Sequence, residues 1–221
     1  AGTGRRLESA TPKQYLALGD KPILTYSLLA FDHHRELDGL VLVVGAGWEQ
    51  TARCLAEKAG LSKPVIVVSG GSKRQESVYR GLLAVPERAK IVLIHDAARP
   101  FVTENLISQL ISAARRTGAA VPFIPLVDTI KVRGEGHLIE QTLDRSRLLA
   151  VQTPQAFNKA LILTAHETAK TDNFQGTDDA VLVERLGLPV EAVPGSETNF
   201  KITRELDYKL ARLLVKGKVD D

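Results

Sequence analysis

Gly2-Thr3-Gly4-Arg5-Arg6, followed seven residues after Arg6 by Lys13, is the first place along this chain where residue types and spacing could do chemistry. Glycine lets the backbone approach a ligand closely and aim successive N–H groups at an anion, while Arg and Lys add forked or mobile positive charge. The combination suits a polyphosphate. It is neither the dinucleotide pattern G-x-G-x-x-G, because position 7 is Leu, nor the Walker pattern G-x-x-x-x-G-K-[ST], so in isolation the turn fits an ordinary loop equally well. Two more polar clusters, Gly70-Gly71-Ser72 and His95-Asp96-Ala97-Ala98-Arg99-Pro100, each follow an apolar run. Both therefore fall at the carboxyl edge of a sheet, where open α/β folds bind ligands. A carboxylate at Asp96 can hold a divalent cation beside phosphates or accept a hydrogen bond from a substrate hydroxyl, and the sequence leaves both open. His95 reads as a packed structural imidazole, and Arg99 as either a substrate contact or the partner of Asp96.

The elements that would position these residues alternate. Leu40 to Val44, Val65 to Val68 and Ile91 to Ile94 are near-continuous Val/Ile/Leu runs, as expected of strands buried on both faces. Between them, apolar residues at three- and four-residue spacings predict helices at Ile23 to His33, Trp48 to Ala59, Gln75 to Ala84 and Asn105 to Arg115, the last capped by Thr103. Pro189 to Val193 reads as another strand and Arg204 to Val215 as a closing helix capped by Thr203. The pattern predicts an α/β fold: a Rossmann-like three-layer sandwich with a mainly parallel central sheet. Ile130 to Val132 and Leu138 to Ile139 flank the turn signal Gly134-Glu135-Gly136, so a β-hairpin interrupts the alternation. A two-stranded arm is marginal alone, which makes packing against a second subunit a natural reading. The expectation is one domain over 1–221 with an inserted β-arm at about 129–150, acting as a dimerisation arm.

Composition sets the outer bounds. The 221 residues, 44% hydrophobic and 25% charged, can bury one sizeable core. No stretch approaches the roughly 20 apolar residues of a membrane span, and no basic region followed by an apolar one opens the chain, so a cytoplasmic setting and no membrane partner are expected. Cys54 alone gives neither a disulfide framework nor a thiolate metal site and reads as a buried, inert thiol. With 29 Lys+Arg against 26 Asp+Glu, the net charge of +3 is too small to suggest nucleic-acid binding, and the basic residues gather around the glycine turns. The chain opens on Ala1-Gly2-Thr3-Gly4 without any methionine, and an omitted N-terminal segment is expected.

Ala1-Gly2-Thr3-Gly4-Arg5-Arg6-Leu7 followed by Pro12-Lys13-Gln14-Tyr15-Leu16 resembles the signature of the 2-C-methyl-D-erythritol 4-phosphate cytidylyltransferase family. The resemblance continues in family order through Gly70 to Val78, His95 to Pro100, Asp128-Thr129-Ile130-Lys131, Asp144-Arg145, Gln152-Thr153-Pro154-Gln155, Thr177-Asp178-Asp179 and Asn199 to Thr203, nearly the whole chain. It implies a homodimeric enzyme of the non-mevalonate isoprenoid pathway that takes CTP, a sugar-alcohol phosphate and Mg²⁺ or another divalent cation. It implies catalytic roles for Arg6, Lys13 and Lys201, the last resting on the resemblance almost alone, with Arg5 a surface or structural residue. CTP would meet Ala1, Gly2, Thr3, Gly4, Gly70, Gly71, Ser72, Ser77 and Ala97, with Ser72 standing where the family commonly has an acidic residue. The second substrate would meet Asp96, Arg99, Thr129, Arg145 and Thr177, with Asp96 also the metal candidate and Thr129 and Arg145 reaching a neighbouring subunit. Thr177 could equally cap the helix beginning near Ala180.

Three rivals share parts of this pattern. A ribitol-5-phosphate cytidylyltransferase has the opening motif, the glycine turn and the Gln-Thr-Pro-Gln run, but Ala97-Ala98, Lys131 and Asp144-Arg145 resemble the methylerythritol enzymes more closely. An NAD-dependent oxidoreductase lacks support because the third glycine is missing and no acidic residue ends a second strand at the required distance. A silent nucleotide-binding module should have lost its phosphate-contacting charges, whereas Arg6, Lys13 and Lys201 are all present.

Overall fold

The structure, a computed structural model, describes residues 12–217. Ala1, Gly2, Thr3, Gly4 and Arg6, five of the expected site residues, lie outside the described residues.

A 3-10 turn at Lys13–Tyr15 leads into a two-residue ribbon, β1 (Ala17–Leu18) and β2 (Lys21–Pro22), and then into α1 (Ile23–His33). Pro22 sits just ahead of α1, where its fixed φ favours helix entry and no helical N–H is lost. The βαβ alternation follows, with β3 (Leu40–Val44), α2 (Glu49–Lys58), β4 (Val65–Ser69), α3 (Arg74–Ala84), β5 (Ile91–Ile94) and α4 (Glu104–Thr117). Thr103 caps α4 as expected, its side chain accepting the Leu106 N–H at 3.3 Å. The helix stops at Gly118, whose φ of 88° closes the last turn by a bond from its N–H to the Ala114 carbonyl. Cys54 on α2 is free but half-buried, not buried.

Beyond α4 come β6 (Ala119–Pro125), the arm strands β7 (Lys131–Arg133) and β8 (Ile139–Thr142), then β9 (Leu149–Val151), β10 (Gln155–Asn158), α5 (Lys159–Thr171), α6 (Ala180–Glu184), β11 (Glu191–Pro194) and α7 (Glu205–Gly217). Thr203 does not cap α7 with its side chain. Instead Asp207 reaches back and accepts the N–H groups of Thr203 and Arg204, each at 2.7 Å, because a carboxylate one turn in can satisfy two orphan donors at once.

The larger sheet runs β11-β6-β10-β5, with β9 joined to β6. β11 is parallel to β6 and β3 is parallel to β4, while β10 lies antiparallel between β5 and β6. Period-two alternation sorts the core into two layers. Ala120 and Ala156 face Leu106, Ile107, Leu110 and Ile111 of α4, whereas Ala119, Val121 and Phe157 face Ile162 and Ala165 of α5 and Leu182 of α6. Ile107, Leu110 and Ile162 are fully buried, and each such side chain stabilises the fold by roughly 1.5–3 kcal/mol relative to exposure. β3 and β5 do not pair among the described residues; they face each other across a cleft, and the site lies at its mouth.

Candidate active site

β3 and β5 flank a cleft, and charged groups gather at its carboxyl-end mouth. Apolar side chains of the two strands form its walls, and Lys13, Arg74, Asp96 and Lys201 stand around it. Asp96 comes two residues after β5, at the carboxyl edge of the sheet, where its N–H donates to Thr153 Oγ1 at 3.0 Å. Lys201 Nζ donates to Asp96 Oδ2 at 2.7 Å. Burial alone would push the Asp96 carboxyl up; the Lys201 ammonium, its hydrogen bond and the Arg74 guanidinium together outweigh that and hold it down at about 2. Asp96 is therefore an anion at any physiological pH.

Lys13 and Lys201 arrive from opposite ends of the chain, and Ile202 joins them. Its N–H donates to the Ala98 carbonyl at 2.9 Å, and its own carbonyl accepts Lys13 Nζ at 2.8 Å. The three charged residues thus share one scaffold. The resemblance paired these residues, and the fold brings them to one cleft edge.

His95 has the structural role expected of it. Its Nε2 faces the Arg99 carbonyl at 3.0 Å and its Nδ1 faces the Thr153 hydroxyl at 3.3 Å, which fits a neutral ring donating from Nε2. Burial lowers its pKa from the ordinary 6.5 to about 4, more than the nearby Asp96 anion raises it. Because the folded pKa is depressed, the stability gained by burying the neutral ring is complete above pH 6.5 and is lost as the pH falls towards 4. In urea titrations the stability gap between the native protein and His95→Gln should therefore shrink between those two pH values. A gap of constant size would show that the ring protonates as readily folded as unfolded.

Arg99 does not pair with Asp96. Its Nη1 donates to the Asn199 carbonyl at 2.7 Å, while its Nε is buried without a hydrogen-bond partner among the described residues. Arg99 does not line the cleft, and its guanidinium instead holds the Asn199 loop.

The glycine turn after β4 is closed on itself. Buried Ser77 takes the Gly71 N–H at 3.0 Å and donates to the Lys73 carbonyl at 2.9 Å, so its hydroxyl organises the turn. Glu76 folds back to accept both the N–H and the hydroxyl of Ser72, and a Cβ on Gly71 would collide with it. A side chain at position 71 would displace the Glu76 carboxylate from Ser72. Ser72, Ser77 and Ala97 line the cleft; Gly70 and Gly71 shape the turn beside it.

Thr129, Arg145 and Thr177 are exposed and do not line this cleft. Arg145 Nη1 is tied to the Val127 carbonyl at the base of the arm. Thr177 is not the cap of α6, because Asp178 Oδ1 accepts the Val181 N–H at 3.1 Å instead. No group of three or more His, Cys, Asp or Glu side chains that could hold a metal exists among the described residues. A single carboxylate still fits a hard cation that takes most of its ligands from phosphates and water; Asp96 meets Lys201 at Oδ2 and has Arg74 Nε 3.6 Å from Oδ1.

Four residues gained roles that motif reading had not assigned. Gln152 bonds Ser196 from both ends of its amide, and Asn199 donates to the Gln152 side chain and to the Thr153 carbonyl, which fixes the loop carrying Lys201. Gln155 accepts the N–H groups of Asp179 and Ala180 and donates to Asp178. Arg74, at the start of α3, pairs with Asp179 at 2.7 Å. A pair of glutamines within four residues was the available signal for Gln152 and Gln155.

A family model described as 2-C-methyl-D-erythritol 4-phosphate cytidylyltransferase matches residues 1–217. The 2-C-methyl-D-erythritol 4-phosphate cytidylyltransferase of Syntrophus aciditrophicus is 47% identical over 217 residues, 97% of this chain and 92% of the relative. That of Geobacillus thermodenitrificans is 43% identical over 219 residues, 99% of this chain and 95% of the relative. Among solved structures, 4-diphosphocytidyl-2C-methyl-D-erythritol synthase from Anaerococcus prevotii superposes with a TM-score of 0.84 at 30% identity, covering 90% of this chain and 88% of its own. The Thermus thermophilus 2-C-methyl-D-erythritol 4-phosphate cytidylyltransferase gives 0.78 at 36% identity, covering 94% and 96%.

Proposed function

The chain belongs to the 2-C-methyl-D-erythritol 4-phosphate cytidylyltransferase family, and from that premise we propose how its residues join CTP to 2-C-methyl-D-erythritol 4-phosphate, releasing pyrophosphate, in the non-mevalonate pathway. A phosphate-monoester oxygen attacks the α-phosphorus of CTP; the new P–O bond forms as the bond to the β-phosphate oxygen breaks. The nucleophile is already anionic near neutral pH, so no general base is required. Catalysis rests on alignment and on neutralising charge at the five-coordinate phosphorus.

The observation that carries this reading is the convergence of Lys13, Lys201 and Asp96 on one cleft edge through Ile202. Lys13 and Lys201, with Arg6, neutralise the phosphates. Ala1, Gly2, Thr3 and Gly4 present backbone N–H groups to the triphosphate, while Gly70, Gly71, Ser72, Ser77 and Ala97 surround the nucleoside. Asp96 is the residue that would hold a Mg²⁺ ion, whose contribution is further charge neutralisation, or it accepts a methylerythritol hydroxyl. Arg99 and Thr177 contact the second substrate, Arg99 from beside the Asn199 loop that its guanidinium holds and Thr177 from the turn that Gln155 fixes.

One nucleotidyltransferase domain spans 1–221, and the arm at about 129–150 joins two copies into a homodimer in the cytoplasm. Val127, Leu138 and Ile139 are 76%, 74% and 64% exposed, an apolar surface that a lone ribbon has no means to cover. Thr129 and Arg145 then serve the neighbouring subunit's substrate. No helix among the described residues is long and apolar enough to cross a membrane.

The deciding test measures pyrophosphate release with CTP, Mg²⁺ and either methylerythritol 4-phosphate or ribitol 5-phosphate. The first acceptor should give the higher kcat/KM. Equal or reversed preference would refute the assignment.

A further inference from the structure

Arg74 has no part in the chemistry described above, yet two carboxylates of very different burial converge on it. Its Nη2 lies 2.7 Å from Asp179 Oδ2 and its Nε 3.6 Å from Asp96 Oδ1, while its guanidinium borders the cleft. Asp179 is only 1% exposed, and its carboxylate oxygens meet Arg74 and His166 at ion-pair distance without a hydrogen bond among the described residues. Its N–H donates to Gln155 at 3.2 Å, and its Oδ1 lies 3.2 Å from Nε2 of buried His166, whose ring stacks on Tyr79. The Asp179 end of the pair is therefore fixed to the core, and the Asp96 end faces substrate.

A buried ion pair is weak grounds for stability, because apolar residues of like volume commonly do as well. A planar fork that spans two carboxylates is instead a means of setting direction. Asp96 lies between two cations: Arg74 on the Oδ1 side, anchored, and Lys201 on the Oδ2 side, at the phosphates' expected position. Burial disfavours the Arg74 cation, but Asp179 and then Asp96 more than offset this, so the charge is permanent.

We propose that Arg74 is a positioning residue: braced by Asp179, it fixes the orientation of Asp96 and, through Asp96, the placement of Lys201 Nζ. The proposal rests on the reading of Asp96 and Lys201 as active-site groups.

Arg74→Lys tests it, since lysine keeps a cation beside Asp179 but has no second prong for Asp96. The expected result is a kcat lowered about tenfold or more, the order of loss that follows from slight misplacement of a reacting group. CTP affinity, read by calorimetry, should stay within about threefold, and the melting temperature should stay within a few degrees. Arg74→Gln combined with Asp179→Asn removes the pair without stranding a buried charge and should show the same split. In an Asp96→Asn background, Arg74→Lys should cost less than about twofold more, because the two changes act through one group. Native kcat in Arg74→Lys, a loss matched by equal loss of CTP affinity, or losses that simply multiply with Asp96→Asn would each overturn the proposal. Native turnover in Asp96→Asn alone would instead overturn the reading of the site itself.

Discussion

Lys201→Ala is expected to lower kcat by about 10²–10³-fold, the usual cost of removing one preorganised charge-stabilising donor, with the fold retained. The residue is half-buried on the loop that Asn199 and Gln152 hold down, so the backbone there does not depend on the ammonium group. Lys13→Ala should behave alike, because its Nζ reaches the Ile202 carbonyl next to Lys201 and lines the same cleft. The two losses arise from charge on the transition state, so kcat and kcat/KM for CTP should fall together. Steady-state kinetics beside circular dichroism would check this. Near-normal turnover in a folded Lys201→Ala protein would remove Lys201 from the catalytic set. The same outcome for Lys13→Ala would leave that side chain as a tether for the Ile202 loop.

These roles differ in how far they could be read in advance. β3 and β5 were legible because Leu40 to Val44 and Ile91 to Ile94 are unbroken runs, and they match the observed strands residue for residue. The helix Ile23–His33 was equally plain. β6 was hidden by Pro122 and Pro125, which argue against a central strand. The fold accommodates Pro122 by using only its carbonyl, which accepts the Gln152 N–H at 2.8 Å. In the site, Asp96 could be placed at a sheet edge from the run ahead of it. Lys201 could not, since its meeting with Asp96 spans 105 residues and no local pattern encodes such a contact. Arg74 and Asp179 were hidden for the same reason: each looks locally like an ordinary charge near a helix start, and only packing reveals their pairing.

Replacing the arm residues 129–142 by a short glycine linker should yield a monomer whose kcat/KM is lower by about 10² or more, the scale of loss when positioning contacts are absent. The arm's own hydrogen bonds run between β7 and β8, and its base is closed by the Leu143 N–H to the Ile130 carbonyl at 3.0 Å. Its excision therefore leaves the larger sheet and the cleft walls intact. What it removes is the exposed apolar surface at Leu138 and Ile139, together with Thr129, which does not line the cleft of its own protomer. Sedimentation separates the two halves of the idea. An intact dimer after excision would show that the subunits meet elsewhere. A fully active monomer would show that the arm joins the subunits without completing the site, and Thr129 would lose its assigned role. Loss of both association and turnover is the outcome expected if an arm that cannot bury its own apolar residues carries a substrate contact across to its partner.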